Sequence, residues 1–374
     1  MLLNDILKPV SGPLPTMKKP IRFSQRAAAF WRRSNGRKNP RACVALALVM
    51  GLLLTTSLAQ ETITLVGSGG TSPLPAYRGW AAEYNKRKSG IRLEYLTLDT
   101  SRSLAEINKS NGDFGGGDIP LPSTERNAGK VMELPILLIG LVPIYNLPGP
   151  IQELRFSGDL LAQIYLGHVK KWNSPQLVQL NPHANLPDLP IKVVYRTAGK
   201  GTNYIFTDFL SKVDTQFRDQ IGRSVSPAWP VGSGAERSSD MAQKVMGEAG
   251  SIGFVELEYA QENHITFGEL RNAAGKFVKA SQETLGAACR SLEAPGWDKF
   301  SASLTNAPGA DAYPITSFSW IYVRKTSPDQ RRRAALIDLL HWMFTEGQGK
   351  IPSGYSPLPG PLLNKEIATL PSLK

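Results

Sequence analysis

Ile191-Lys192-Val193-Val194-Tyr195-Arg196-Thr197-Ala198-Gly199-Lys200-Gly201-Thr202-Asn203 is the stretch whose reading decides the fold. Its opening is rich in β-branched and aromatic residues and predicts a strand over Ile191–Tyr195. Gly199 and Gly201 then mark a turn, and the residues beyond predict a helix over Asn203–Lys212. The first turn of a helix carries N–H groups without internal partners and the positive end of the dipole, so such a junction is a ready anion site. Arg196, Lys200 and Thr202 converge on it, which folding alone does not require. Arg suits bidentate contact with a tetrahedral oxyanion, and Lys adds a point charge.

The same strand–turn–helix grammar recurs on both sides. Strands are expected over Thr62–Gly67, Ile91–Leu96, Ser251–Val255 and Ser317–Val323, and helices over Ala76–Lys88, Leu104–Asn108, Gln282–Leu292 and Pro328–Thr345. Leu134–Tyr145 is almost continuously apolar, as strands covered on both faces are. The class is α/β with mixed sheets. Two further turns offer anion-binding groups. Gly67-Ser68-Gly69-Gly70-Thr71-Ser72-Pro73 lacks the Lys-Ser/Thr pair of a nucleoside-triphosphate loop and is not a dinucleotide fingerprint. Asp99-Thr100-Ser101-Arg102-Ser103 supplies hydroxyls that either cap a helix or face a ligand. Asp118, after Gly115-Gly116-Gly117, is either a turn residue or an acceptor for a protonated oxyanion. A fully ionised anion such as sulfate would meet repulsion there, and this is discrimination by penalty.

Charge bounds the rest. The 374 residues carry a net +12, but residues 1–59 hold ten basic residues against Asp5 alone, a net of +9. That segment continues into the uncharged apolar run Ala42–Leu54 and ends in Ser57-Leu58-Ala59, the pattern of a cleavable signal peptide over 1–59. The remaining +3 gives no reason to expect a nucleic-acid partner, and Arg331-Arg332-Arg333 is expected to be a solvated helix face. Export places the protein in the periplasm, with secretion as the alternative. Two cysteines, Cys43 and Cys289, make neither a disulfide framework nor a Cys-based zinc site. The four histidines show no metal spacing and no Gly-x-Ser-x-Gly elbow occurs, so no metal, cofactor or enzymatic activity is expected.

Taken in order, Gly67–Pro75, Asp113–Pro120, Ile164–Asn173, Phe206–Val213, Trp229–Gly232 and Gly250–Glu256 give the mature chain a resemblance along nearly its whole length. It resembles the periplasmic phosphate-binding protein of ABC phosphate importers. The resemblance implies a two-lobed periplasmic-binding-protein fold of type II, with lobe I over 60–140, lobe II over 141–313 and a return segment of lobe I over 314–374. The chain would cross between lobes at Ile139–Tyr145 and Tyr313–Thr316. It implies phosphate contacts from Thr71, the backbone of Ser72, Thr100, Asp118, Arg196, Lys200, Gly201 and Thr202, with Ser101 the adjacent hydroxyl. His168 and Trp172 are read as helix packing and surface. The implied protein is a monomer that serves an ABC permease and ATPase.

The departures from the family pattern lie in the site. Ala198 stands where the family has an Asp that partners the Arg, and Lys200 where it has Ser. Thr97, Asp99, Arg102 and Ser103 occupy glycine positions, and Ser72 replaces a Phe. A more cationic pocket is expected, with Asp99 a candidate partner for Arg102 or Arg196. The competing expectations are a different phosphorus oxyanion, a phosphonate or an organic phosphate, or a phosphate scavenger or sensor without a transporter.

Overall fold

The computed structural model describes residues 62–87, 90–109, 112–149, 153–292 and 303–374. The expected signal peptide lies outside the described residues. Strand β1 (Ile63–Gly69) leads to α1 (Leu74–Tyr84), β2 (Ile91–Thr97) to α2 (Thr100–Asn108), and β3 (Phe114–Gly117) to α3 (Ser123–Ala128). The long β4 (Val131–Tyr145) is followed by β5 (Arg155–Phe156), α4 (Gly158–Tyr165), α5 (Pro175–Leu180), β6 (Lys192–Arg196) and α6 (Gly201–Val213). Next come α7 (Thr215–Gln220), β7 (Ser233–Ala235), α8 (Ser238–Gly247), β8 (Ser251–Glu256), α9 (Leu257–Glu262), β9 (Glu269–Arg271), β10 (Phe277–Val278) and α10 (Gln282–Arg290). The chain closes with β11 (Thr316–Arg324), α11 (Gln330–Phe344), β12 (Tyr355–Ser356) and α12 (Gly360–Thr369).

Among the described residues nine strands form one mixed sheet in the order β2-β1-β3-β11-β4-β8-β6-β7, with β12 beside β4. Strand β4 holds its two ends together. Val131–Gly140 pairs antiparallel with β11, and Leu141–Tyr145 then pairs antiparallel with β8. Its apolar run is explained by this position, since all but Met132 is buried. The Leu141 N–H donates to the Ile315 carbonyl at 3.0 Å, next to the point where the partner changes.

Strands β1 and β2 bury Leu65 and Leu93 against the helices, whereas β3 is Phe114 followed by three glycines and lets neighbouring groups approach its backbone closely. A Cβ on Gly69 would lie 1.9 Å from the Gly116 carbonyl oxygen, so only glycine fits this crossing. The helices differ from expectation mainly at their starts. Helix α2 begins at Thr100, not Leu104, because Asp99 is extended (φ −72°, ψ 149°) and its carbonyl accepts from Ser103 N–H at 2.9 Å. Thr100, Ser101 and Arg102 are therefore the first helical turn. Helix α6 likewise starts at Gly201, two residues early.

Of the arginine run, Arg331 is exposed as expected, but Arg332 and Arg333 do not form a solvated face. Arg332 places its fork on Asp113, with Nε 3.0 Å from Oδ1 and Nη2 2.6 Å from Oδ2, and also donates to the Thr64 carbonyl at 2.8 Å. Arg333 is 5 % exposed and donates to the Arg324 carbonyl at 2.7 Å. Arg332 thus ties α11 to β1 and to the turn before β3 through a paired guanidinium, and Arg333 ties it to the end of β11 through Nη2 alone, its buried Nε and Nη1 having no partner in the protein. Cys289 is buried on α10, and burial pushes its thiol up to about 12, which keeps it protonated and inert. Among the described residues no helix is long and apolar enough to cross a membrane.

Candidate functional site

The parallel strands β1, β2, β3 and β6 all deliver their C-terminal ends to one cavity of about 230 Å³, the position where open α/β sheets collect ligands. One side of it is built from the turns after β1, β2 and β3, which supply Gly70, Thr71, Ser72, Asp99, Thr100 and Asp118. The other side is the turn after β6, with Arg196, Lys200, Gly201 and Thr202, joined by Glu236 and Arg237 between β7 and α8.

Asp118 is 1 % exposed. Ser72 Oγ donates to its Oδ2, and Ser319 Oγ, from β11, donates to its Oδ1 at 2.9 Å. Burial pushes the carboxyl up to about 7, the two hydroxyls oppose the rise, and the charge of Glu256 adds to it. The start of α6 presses against this group. A Cβ on Gly201 would meet Asp118 Cβ at 2.9 Å, Asp118 Oδ2 at 3.0 Å and Thr100 Oγ1 at 3.2 Å, so the position takes no larger residue without displacement.

Arg196, the last residue of β6, is 3 % exposed, and its Nε and Nη1 have no partner within the protein. Burial pulls the guanidinium down, and Glu256, Glu236, Asp240 and Asp99 hold it up. The hydroxyls of Thr100 and Thr202 are also buried without a protein partner. Such groups cost free energy unless something satisfies them. The cavity therefore gathers unmet donors beside a buried carboxyl that holds a proton more tightly than an ordinary one.

The sequence-predicted residues divide. Thr71, Ser72, Thr100, Asp118, Arg196, Lys200, Gly201 and Thr202 all line the cavity. Ser101 does not, because a helix starting at Thr100 turns it out to solvent. The hydroxyl of Ser72 is already given to Asp118, and its carbonyl accepts from Tyr355 Oη at 2.5 Å. Lys200 is not a spare positive charge. Its Nζ lies 2.6 Å from Asp99 Oδ1 and also bonds Glu236 Oε1, whose second oxygen accepts from Thr197 Oγ1 at 2.5 Å. Asp99 thus partners neither Arg102 nor Arg196, as expected from the sequence, but Lys200. The expected rise in positive charge is cancelled by Asp99 and Glu236. His168 is exposed and bonds Gln163 Oε1 at 2.8 Å, whereas Trp172 is fully buried and donates to the Gly250 carbonyl at 2.9 Å.

Four contributors escaped sequence reasoning: Ser319, Glu236, Arg237 and Glu256. Glu256 closes the Gly250–Glu256 motif, which marked the family without assigning the acid a role. No local pattern announces the other three.

A mixed sheet gripped at its middle by two long strands, with a cleft at the strand ends, defines the two-lobed periplasmic-binding-protein class of fold. The profile described as a PBP superfamily domain matches residues 55–346. The chain is 36% identical over 320 residues to the phosphate-binding protein PstS of Xylella fastidiosa (strain 9a5c), covering 84% of this chain and 86% of that one. It belongs to the PBP superfamily and, within it, to the family of PstS phosphate-binding proteins. In fold it is similar to a putative phosphate ABC transporter substrate-binding protein with bound phosphate from Clostridium perfringens (17% identity, TM-score 0.55, 77% of this chain and 96% of that one). It is likewise similar to a high affinity periplasmic phosphate-binding protein solved with phosphate (17% identity, TM-score 0.65, 82% and 94%).

Proposed function

We propose that the protein captures inorganic phosphate between two lobes and delivers it to an ABC importer, without catalysing a reaction on it. The lobes proposed are 60–140 with 314–374, and 141–313, with 1–59 removed on export to the periplasm and the mature protein a monomer. One observation carries the reading: buried donors of Arg196, Thr100 and Thr202 without protein partners face a cavity in which Asp118 is the buried acceptor. Phosphate satisfies both sets, because it has oxygens to accept and a proton to donate. Sulfate satisfies only the donors. The names of the relatives, phosphate-binding protein PstS, point the same way.

Calorimetric titration with phosphate, arsenate, sulfate and a phosphonate tests this. Phosphate and arsenate should bind and sulfate should bind far more weakly; no phosphate heat at millimolar ligand overturns the proposal. A second reading, a phosphate carrying an organic substituent, rests on the exposed Arg102 at the cavity wall. Tighter binding of the phosphonate than of phosphate would favour it.

A further inference from the structure

The departures at Ala198 and Lys200 change what the third turn does. Lys200 stands at the N-cap of α6 but makes no side-chain cap, and its side chain is 11% exposed. Instead it leaves its own turn and reaches Asp99, 101 residues earlier, at the start of α2. Asp99 belongs to the β2–β1–β3 end of the sheet and Lys200 to the β8–β6–β7 end, and these ends touch the cavity from opposite sides. Glu236, from the same end as Lys200, holds the ammonium from behind. Backbone follows the side chains: a Cβ on Gly199 would lie 3.9 Å from Asp99 Oδ2.

We propose that Lys200 is a latch across the cleft and not a ligand group, with Asp99 its catch and Glu236 its anchor. This rests on the phosphate reading of the same cavity. The Lys200–Asp99 pair spans the cleft, so it biases the two-lobed protein towards closure, whereas Lys200–Glu236 lies on one side and is indifferent to it. A bond made only in one state shifts the population by its own differential stability. The ligand then meets a site that is partly preclosed, and on leaving it must wait for the latch to open. Two carboxylates brought from elsewhere in the chain also do the neutralising that an acid at position 198 would have done locally. Arg196 keeps its unpartnered Nε and Nη1 for the anion because Lys200, not Arg196, takes Asp99.

Two substitutions separate latch from ligand group. Asp99→Asn removes the charge from the catch while leaving Glu236 to hold Lys200, so the ion pair across the cleft is lost and the one behind the turn is kept. A latch predicts phosphate release about tenfold faster by stopped flow, and a larger radius of gyration for the phosphate-free protein by X-ray scattering. A direct ligand role for Lys200 predicts the reverse: the same substitution frees the ammonium and phosphate binds more tightly. Lys200→Met should speed release by the same factor, and the double variant should add nothing, because each change removes the one bond that crosses the cleft. Additive effects, tighter binding by Asp99→Asn, or an unchanged release rate overturn the latch. Failure of the unsubstituted protein to bind phosphate at all overturns the functional reading instead, and the scattering comparison then tests the latch by itself.

Discussion

The two walls of the cavity solve one problem by different means. The wall made by the turns after β1, β2 and β3 is built from small residues and hydroxyls, with one buried carboxyl that is met by hydroxyls alone: Ser72 and Ser319 both bond Asp118. The wall made by the turn after β6 is built from cations, and every carboxylate that balances them comes from another segment. Asp99 and Glu236 take Lys200, while Glu256 is the first of the acids that support the charge of Arg196. Buried charge is costly unless paired, so a wall that has no local acid at position 198 has to import its counter-charge. On the function proposed above, the first wall would set which protonation state is accepted, and the second how strongly an anion is held.

The sharpest way to break that division is at Arg196. Arg196→Lys keeps the charge and removes the planar fork, so the loss measures geometry alone. Phosphate affinity should fall by about a hundredfold, on the order of 3 kcal/mol for charge-assisted bonds in a buried site. Titration calorimetry reads it, and the phosphate-to-sulfate ratio should stay put, since the selecting wall is untouched. A changed ratio would show that the cationic wall also selects.

Asp118→Asn attacks the other wall and should do the opposite. The carboxyl is held near 7, so it is largely ionised at pH 8.5 and largely protonated at pH 5.5. Sulfate, which brings no proton, is tolerated only by the protonated form. In the unsubstituted protein the preference for phosphate over sulfate should therefore climb as pH rises through about 7. The Asp118→Asn variant should flatten that climb and lower the preference at pH 8.5 by roughly thirtyfold, about 2 kcal/mol. Stability moves with a definite sign. The folded carboxyl is raised above its ordinary value of 3.8, so the folded state binds more protons than the unfolded one between there and about 7. Stability falls as pH rises through that window and stays low above it. Asp118→Asn should thus raise the melting temperature of the phosphate-free protein at pH 8, and less so at pH 4.

Gly201 is where the walls meet, so it tests whether they must touch. A Cβ there has Asp118 Cβ 2.9 Å away and Thr100 Oγ1 3.2 Å away, too close without a shift. Gly201→Ala should hold the walls apart by a few tenths of an ångström and cost about tenfold in phosphate affinity, within the range for overpacking. The phosphate-free protein should lose melting temperature as well, since Lys200 and Asp99 already hold these walls together.

The same division explains what was legible in the sequence. Glycine runs, hydroxyls and a carboxyl at strand ends are local signals, so Thr71, Thr100, Asp118, Arg196, Gly201 and Thr202 are legible in the sequence, and all of them line one cavity. The alternation of strands and helices was equally readable, because β4 had to be apolar on both faces. Helix starts were read late at α2 and α6, since Thr100–Ser103 and Gly201–Thr202 have weak helix propensity and are carried into the helix by tertiary contacts. What no local pattern reveals is pairing between separate segments. Lys200 looked like added charge until Asp99 and Glu236 were found on it, and Arg332 and Arg333 looked solvated until Asp113 and the Arg324 carbonyl were found beneath them. Side-chain charge is printed in a sequence, but its neutralisation is a property of the fold.

The finest probe of the selecting wall is Ser319→Ala. Ser319 lies on β11, 201 residues from Asp118, and touches the ligand-facing group only through one hydrogen bond of 2.9 Å to Oδ1. That hydroxyl stabilises the ionised carboxyl and holds its value below where burial alone would put it. Removing it leaves Ser72 as the remaining hydroxyl donor and should raise the Asp118 midpoint by less than one pH unit, the equivalent of about 1 kcal/mol for a neutral donor. The pH at which sulfate begins to compete with phosphate should move up by the same amount, while phosphate affinity at pH 8.5 changes by no more than about threefold. Sulfate competition followed from pH 5.5 to 8.5 in both proteins measures the shift. A midpoint that stays fixed would mean that selection is governed by the cationic wall through Glu256, whose charge acts on both Asp118 and Arg196.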